Sequence, residues 1–490
     1  MSQIKTSSKK AAISLNPMQP YHAEKIRLLE NSLTPPIQMK GVSDSCFDLF
    51  ERMKHYNVPG VSMALIDNGK IAWTKTWGVK DADDQNQLTT STLFQAASIS
   101  KPVSSLAALQ LVETGALSLD QPINHSLKRW QLPENNLAQQ EPVTLTHLLS
   151  HTGGITVHGF KGYAQTDEQP TILDILNGVE IAKSAPVRVD TLPGTQFRYS
   201  GGGTTVCQVA MEDVSNKPFA DIMNDQILQP IGMTNSTFEQ PLPDVFKHDV
   251  ASGHLAEGQV VPGKWHNYPM QAPASLWSTP TDLALFSLSV IQAWNGVEGA
   301  LFSKDLCDQY LSVHKNQWGL GPRLFIQDGK MIGFHHGGAN EGYRCNSVAF
   351  LNGQGAVVMT NSDQGDALLG EIMAAAATVY DWPEHHPKQQ AWSPLSAENQ
   401  ERFTGVFTST IGSKKYEALV SLQGQGLDIS CPDIPLSGPF YFISQEDNNA
   451  VFMSPSGMKL NFTEDDKQQS IVTILGYAFT RTNTPEDNQK

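Results

Sequence analysis

The sequence predicts an α/β protein of the α+β kind: an antiparallel sheet with a helical subdomain, followed by an all-β barrel at the C-terminus. Three observations predict it. Strand-like runs come first (61–66 and 71–77), helical apolar spacing fills the middle, and strand-like runs return at 334–359, so one sheet draws on both ends of a domain. Beyond Asp381 the composition changes, and 403–480 becomes a succession of short alternating runs separated by Gly, Asn and Asp. At 490 residues the chain is also too long for one ordinary core.

Taken in order, residues 1–40 are polar, carry Pro17, Pro20, Pro35 and Pro36, and show no sustained period, which reads as an N-terminal arm. Between Asp44 and Tyr56, the residues Cys46, Phe47, Phe50 and Met53 fall at helical spacing. After Pro59-Gly60, the runs 61–66 and 71–77 are joined by Asp67-Asn68-Gly69, and Asn-Gly is a strong hairpin signal. A helix is expected over about 98–114, where Val103, Leu106, Leu109 and Val112 recur at helical spacing and Gly115 stands at the C′ position. Another is expected at 145–149, stopped by Gly153-Gly154, and helical patterns follow at 204–214 and 281–293. The strand-like stretch 334–359 breaks at Asn352-Gly353. These elements define a domain over 41–382. Residues 383–400, with Pro383, Pro387, Pro394 and His385-His386, suit a linker, and 401–490 the barrel, with runs at 416–422, 440–443, 450–453 and 471–479.

Lysine plus arginine total 34 against 49 aspartate plus glutamate, a formal charge of -15 that opposes a phosphate backbone or an anionic membrane. Nucleic-acid and membrane partners are therefore not expected. The longest apolar stretches, 283–294 and 372–379, fall far below the roughly 18 residues of a membrane span. Lys5, Lys9 and Lys10 precede an apolar stretch, 11–15, too short for an export signal, so a cytoplasmic location is expected if Met1 is the native start. A start further upstream would leave a periplasmic or secreted location open. Cys46, Cys207, Cys307, Cys345 and Cys431 are widely spaced and odd in number, which reads as reduced thiols, mostly core. His147 and His151 stand at i, i+4, but no glutamate follows His147, so no metal is expected and His151 reads as structural. The sequence has neither a phosphate-cradling loop nor a Gly-x-Ser-x-Gly elbow, and no cofactor is expected. Nothing in it fixes an oligomeric state.

Three stretches carry chemistry. In Ser98-Ile99-Ser100-Lys101 a helix would place the amine one turn from the hydroxyl. The same spacing recurs at Ser2/Lys5, Ser7/Lys10, Ser312/Lys315 and Ser456/Lys459, so context must decide, and at Ser98 Pro102 and a strongly apolar helix follow. A buried helix start lowers the lysine pKa and favours negative charge on the serine oxygen, whereas a serine cap beside a surface lysine is the plain alternative. Tyr199 lies in Arg198-Tyr199-Ser200-Gly201-Gly202-Gly203, where an adjacent ammonium would have to lower its pKa from about 10 for it to act as a phenolate base. Without a partner, a core tyrosine beside a glycine turn is the preferred reading. In His336-Gly337-Gly338-Ala339, glycines on an edge strand would let an acyl group approach and the next N–H complete an oxyanion hole, against an ordinary glycine bulge.

Ser98-x-x-Lys101, the stretch Leu145-Thr146-His147-Leu148-Leu149-Ser150-His151-Thr152-Gly153-Gly154, then Tyr199-Ser200-Gly201 and His336-Gly337-Gly338, in this order, together resemble the serine β-lactamase-like superfamily. The likeness is to its class C-related branch of carboxylesterases, D-amino-acid-specific peptidases and CubicO-type proteins. It covers about 45–382 and is supported at Pro59-Gly60-Val61-Ser62, 115–120 and 229–233. The resemblance implies a β-lactamase/transpeptidase-like fold, Ser98 as acylated nucleophile, Lys101 and Tyr199 as the proton-handling pair, and the N–H groups of Ser98 and Ala339 as oxyanion hole. It places His336, Gly337, Gly338 and Gly201 against the substrate, and it makes the barrel a lipocalin-like appendage expected to wall or shield the cleft.

The departures matter. Gly201 stands where many relatives have asparagine, removing an amide that would contact substrate, and His336 replaces a lysine, leaving at most a partial charge near its usual pKa of about 6.5. Ala274-Ser275-Leu276 departs from a common glycine pair. The expected function is acyl transfer from a small ester, amide or short peptide to water, esterase-like. The alternatives are a D-amino-acid-specific peptidase, a DD-peptidase or β-lactamase, and a non-catalytic ligand-binding relative.

Overall fold

The structure, a computed structural model, describes residues 20–42, 46–411, 414–431, 439–446, 448–464, 469–474 and 476–482. Its centre is a six-stranded antiparallel sheet in the order Lys70–Gly78, Gly60–Asp67, Gln354–Thr360, Tyr343–Phe350, Lys330–Asn340, Arg323–Gln327. Strand Gly60–Asp67 thus lies beside a strand nearly 300 residues later, with Val61 paired to Thr360, and Lys70–Gly78 forms the sheet edge. The turn after Asp67 is the expected hairpin, with Asn68 at φ +52° and Gly69 at φ +69°. The last strand, Arg323–Gln327, pairs with Lys330–Asn340 only as far as His335, so among the described residues no strand pairs with 336–340 on that side.

Each sheet face is covered. On the inner face, helix Pro280–Trp294 sets Leu283 and Ala284 into the core with Ala64, Ile66, Val357 and Met359. On the outer face, helices Pro20–Glu30 and Gly365–Tyr380 bring Ile26, Leu29, Leu369 and Ile372 against Met63, Leu65 and Val358. The stretch read as an arm is therefore divided: 1–19 lie outside the described residues, and 20–30 form a helix of this core. Helix Leu49–His55 starts later than the apolar spacing predicts because Asp48 caps it, accepting from the N–H groups of Phe50 and Glu51. Phe47, ahead of the cap, instead bridges to Leu33.

Arg52 on that helix forms a bidentate pair with Glu371 at 2.6 and 2.8 Å, and the Tyr56 hydroxyl donates to Glu371 at 2.8 Å. Glu371 is 1% exposed and the Arg52 side chain 12%. Glu371→Ala would leave the guanidinium buried and unpaired, an expected loss of about 3–5 kcal/mol in urea unfolding. Glu371→Gln, which keeps an acceptor, should lose less.

The C-terminal part is an eight-stranded antiparallel sheet running from Gly426–Ser430 at one end to Tyr441–Glu446 at the other, nearly closed into a barrel by a bridge between Leu427 and Phe440. Phe407, Val420, Phe452, Leu460, Phe462, Val472 and Phe479 fill it. The run 471–479 is not one strand but the hairpin Ser470–Ile474 and Tyr477–Arg481, with Gly476 at φ +86° in the turn. Linker residues Lys388–Gln390 add a parallel strand to Ile37–Met39. The barrel docks through Ile37 N–H to Pro455 O at 3.0 Å and Ser393 N–H to Phe442 O at 3.0 Å.

Candidate active site

Helix Ser100–Glu113 is preceded by the 3-10 turn Ala97–Ile99, and Ala97 is held at φ +48°, a backbone state costly for a residue with a Cβ. That turn lies against the edge strand: a Cβ on Gly338 would stand 2.4 Å from Ala96 O and 2.5 Å from Cys345 Sγ. Close approach therefore demands glycine at 338. At Gly337 the nearest atom is Cys345 O, 3.7 Å away, so packing makes no such demand.

One turn into the helix, Lys101 Nζ stands 3.0 Å from Ser98 Oγ and donates to Pro273 O at 3.0 Å. Lys101 is 3% exposed, and burial brings its pKa down to about 7. The segment that carries Pro273 O is tied down on both sides of it. Ser104 Oγ donates to Ala272 O, Ser100 Oγ accepts from Leu276 N–H, and Asn340 Nδ2 donates to Ala274 O.

Tyr199 is fixed by the start of helix Gly201–Ser215. Ser200 caps that helix by accepting from Gly203 N–H, and its own N–H donates to His151 Nδ1 at 3.2 Å. The Tyr199 ring packs beside His151, His158, Trp318 and His336, with centroids 4.4, 5.0, 5.7 and 6.1 Å away. Ser98 faces its hydroxyl and lowers the phenol pKa. Enclosure pushes the phenol pKa up, more than Ser98 lowers it. The expectation that a neighbouring ammonium lowers it is not met: burial brings Lys101 itself down to about 7, so its charge near neutral pH is partial, and enclosure of the phenol dominates.

His336 also departs from expectation. Burial, and secondarily Lys101, bring its pKa down to about 3, so it supplies no partial positive charge near neutral pH. Along its strand the ladder starts with Leu351 N–H donating to Ile332 O, and antiparallel alternation then turns the N–H and C=O of Phe334, His336 and Gly338 toward Tyr343–Phe350. The same alternation turns those of Gly337 and Ala339 to the open edge.

Ser98, His158, Tyr199, His336, Gly337, Gly338 and Ala339 line one cavity of about 490 Å³, which continues over the sheet edge to Asn346 and Leu369. Gly201, expected against the substrate, is not among the lining residues. Its N–H donates to His158 O at 3.0 Å, and a Cβ there would meet Phe160 at 3.0 Å, so the 158–160 segment occupies the space. No described residue of the barrel lines this cavity. Its described residues instead border a cavity of about 510 Å³ against Arg52, Tyr56 and Glu371.

Sequence reasoning missed His158, Trp318 and the carbonyl of Pro273. His158-Gly159 after the Gly153-Gly154 break was the one available signal, and Trp318 has none. His147 and His151 serve the backbone separately, His147 Nδ1 accepting from Thr144 N–H and His151 from Ser200 N–H. Among the described residues no group of three His, Cys, Asp or Glu is placed to hold a metal, and no helix is long and apolar enough to cross a membrane. All five cysteines are free thiols, Cys46 exposed and the others buried.

Residues 48–379 match the family model described as Beta-lactamase. Protein flp of Staphylococcus aureus (strain N315) is 24% identical over 264 residues, 53% of this chain and 49% of that protein. Esterase EstB of Burkholderia gladioli is 29% identical over 216 residues, 41% of this chain and 52% of that one. The chain thus spans about half the length of these curated relatives. The octameric penicillin-binding protein homologue from Pyrococcus abyssi has the same fold at TM-score 0.59 and 22% identity, covering 88% of this chain and 98% of that one. The penicillin binding protein from Bacillus halodurans follows at TM-score 0.53 and 21% identity, over 68% of this chain and 98% of that one.

Proposed function

We propose that this chain, which belongs to the Beta-lactamase family, transfers the acyl group of a small ester or amide to water through an acyl-Ser98 intermediate, esters being the better substrates. The observation that carries the reading is the Lys101 amine, buried, with its pKa near 7, 3.0 Å from Ser98 Oγ. A neutral amine has a lone pair for the serine proton, and a pKa close to ambient pH is where a general base works best.

In this reading Ser98 Oγ attacks the carbonyl carbon as its proton passes to Lys101. The carbonyl oxygen takes the negative charge and is met by the N–H of Ala339, turned to the open edge, and by that of Ser98. Tyr199, kept protonated, donates its proton to the departing oxygen or nitrogen and is reprotonated from the Lys101 ammonium. Water then attacks acyl-Ser98 and gives up a proton to the same pair, which returns it to Ser98 Oγ as the ester bond breaks and the acid leaves. The preference for esters follows from the frame around Ser98. An alkoxide leaves with less protonation than an amine, and neither Gly201 nor the neutral His336 offers the polar grip that an amide with a carboxylate would need.

Because only neutral Lys101 can take the proton, kcat/KM for a short-chain ester should rise with pH through a midpoint near 7 and level off above it. A flat profile between pH 5.5 and 8.5 would remove Lys101 as the base. The reading itself is tested by intact-protein mass spectrometry after a fluorophosphonate and after p-nitrophenyl esters, D-amino-acid amides and β-lactams. Adducts should map to Ser98 and vanish in Ser98→Ala. Labelling at another serine would overturn the reading, and a D-amino-acid amide turned over faster than every ester would move the enzyme to the peptidases.

A further inference from the structure

His336 is 7% exposed, lies on the edge strand and lines the catalytic cavity. Its Nδ1 is 2.6 Å from Gly337 O. A carbonyl oxygen only accepts, so the ring proton is on Nδ1 and the Nε2 atom carries a bare lone pair. That Nε2 is buried and has no hydrogen-bond partner among the described residues. Trp318 meets the ring at 90°, 5.7 Å between centroids, and Tyr199 packs beside it at 6.1 Å. A second proton is disfavoured by burial and by Lys101. An unmet acceptor in an enclosed site is costly until a donor reaches it, and a carboxylate oxygen set against it would add lone-pair repulsion to lost hydration.

From this geometry we infer that His336 selects for substrates presenting a hydrogen-bond donor, a carboxamide N–H or a hydroxyl, to its Nε2, and against substrates presenting a carboxylate there. The inference rests on the acyl-transfer reading and narrows its substrate class to neutral, donor-bearing esters. A site built around an unmet polar group discriminates strongly against a partner that cannot satisfy it, so a preference of roughly 10- to 100-fold is expected.

The test uses the full chain and matched esters that differ in one group. On the alcohol side these are benzoylglycyl esters of glycolamide, methyl glycolate and glycolic acid. On the acyl side they are p-nitrophenyl esters of glutaramic acid, of monomethyl glutarate and of glutaric acid. On one side kcat/KM for the amide should exceed both the methyl ester and the acid by at least about 10-fold. In His336→Leu the amide advantage over the methyl ester should collapse, and in His336→Lys the acid should become the best of the three. Fluorophosphonate labelling of Ser98 reports that each variant is folded, and should His336→Leu fail to label, the lysine variant carries the comparison. An acid turned over as well as the amide on both sides, or an amide preference unchanged in the variants, overturns the role of His336 and leaves acyl transfer at Ser98 standing. Absence of any Ser98 adduct in the wild-type protein would remove both.

Discussion

Lys101→Met is expected to lower kcat for a short-chain ester by about 10³- to 10⁴-fold while the protein melts at or above the wild-type temperature at pH 6. The two effects have one cause. Lys101 is buried against Pro273 O, and its pKa falls from 10.5 to about 7, so the folded state holds this proton less tightly than the unfolded chain. Between those two values the unfolded chain binds more protons, and wild-type stability from this group rises with pH; below about 7 the full penalty of a buried ammonium is present. Methionine is nearly the same length and carries no charge, so its advantage should be greatest at pH 6 and shrink toward pH 9. Activity moves the other way because methionine has no lone pair basic enough for the Ser98 proton. Tyr199→Phe should lose less, about 10²-fold, since it removes the relay to the leaving group and keeps the base. A Lys101→Met enzyme within a factor of ten of wild type, or one whose melting temperature falls equally at pH 6 and pH 9, would separate Lys101 from the proton transfer.

These two side chains also show what a sequence carries and what it withholds. The spacing of Ser98 and Lys101 on a helix is a local property, and so are the caps and the Asn-Gly turn, so they are legible before any fold is known. The direction of a pKa depends on what surrounds the group in three dimensions. The sequence alone places an ammonium beside Tyr199, yet the same burial that brings Lys101 down to about 7 also favours the protonated phenol. His336 follows the same rule. Gly201 reads in the sequence as a missing amide, but Phe160 and His158, about forty residues earlier, fill the space beside it. Helix 20–30 was illegible for another reason. Its apolar residues are sparse, and it is stabilised by packing Ile26 and Leu29 on the outer face of the sheet rather than by its own periodicity. Ala97 has no sequence signature for φ +48°; its turn packs tightly against the edge strand at Gly338.

That tight packing sets the other large effect. Gly338→Ala should lower kcat by about 10²- to 10³-fold, whereas Gly337→Ala, one residue away, should stay within a few-fold of wild type. Both add a single methyl group to the same strand, so intrinsic strand propensity cannot distinguish them. At 338 the added carbon would sit 2.4 Å from Ala96 O and 2.5 Å from Cys345 Sγ, distances that require the edge strand and the Ala97–Ile99 turn to separate. Separation moves Ala339 N–H away from the carbonyl that Ser98 attacks, and a displacement of about 1 Å in a positioned donor is enough to lose most of its stabilisation of the oxyanion. Overpacking should also cost about 1–3 kcal/mol of stability, read as a lower urea midpoint with an unchanged slope. At 337 the nearest atom, Cys345 O, is at ordinary contact distance, so the methyl group fits without moving either element. Cys345→Ala tests the mechanism of the loss: it removes the sulfur but not the Ala96 carbonyl, so combined with Gly338→Ala it should recover only part of the activity. Full recovery would show that the side chain alone sets the spacing, and no difference between the two glycine variants would mean that the edge strand does not position the site.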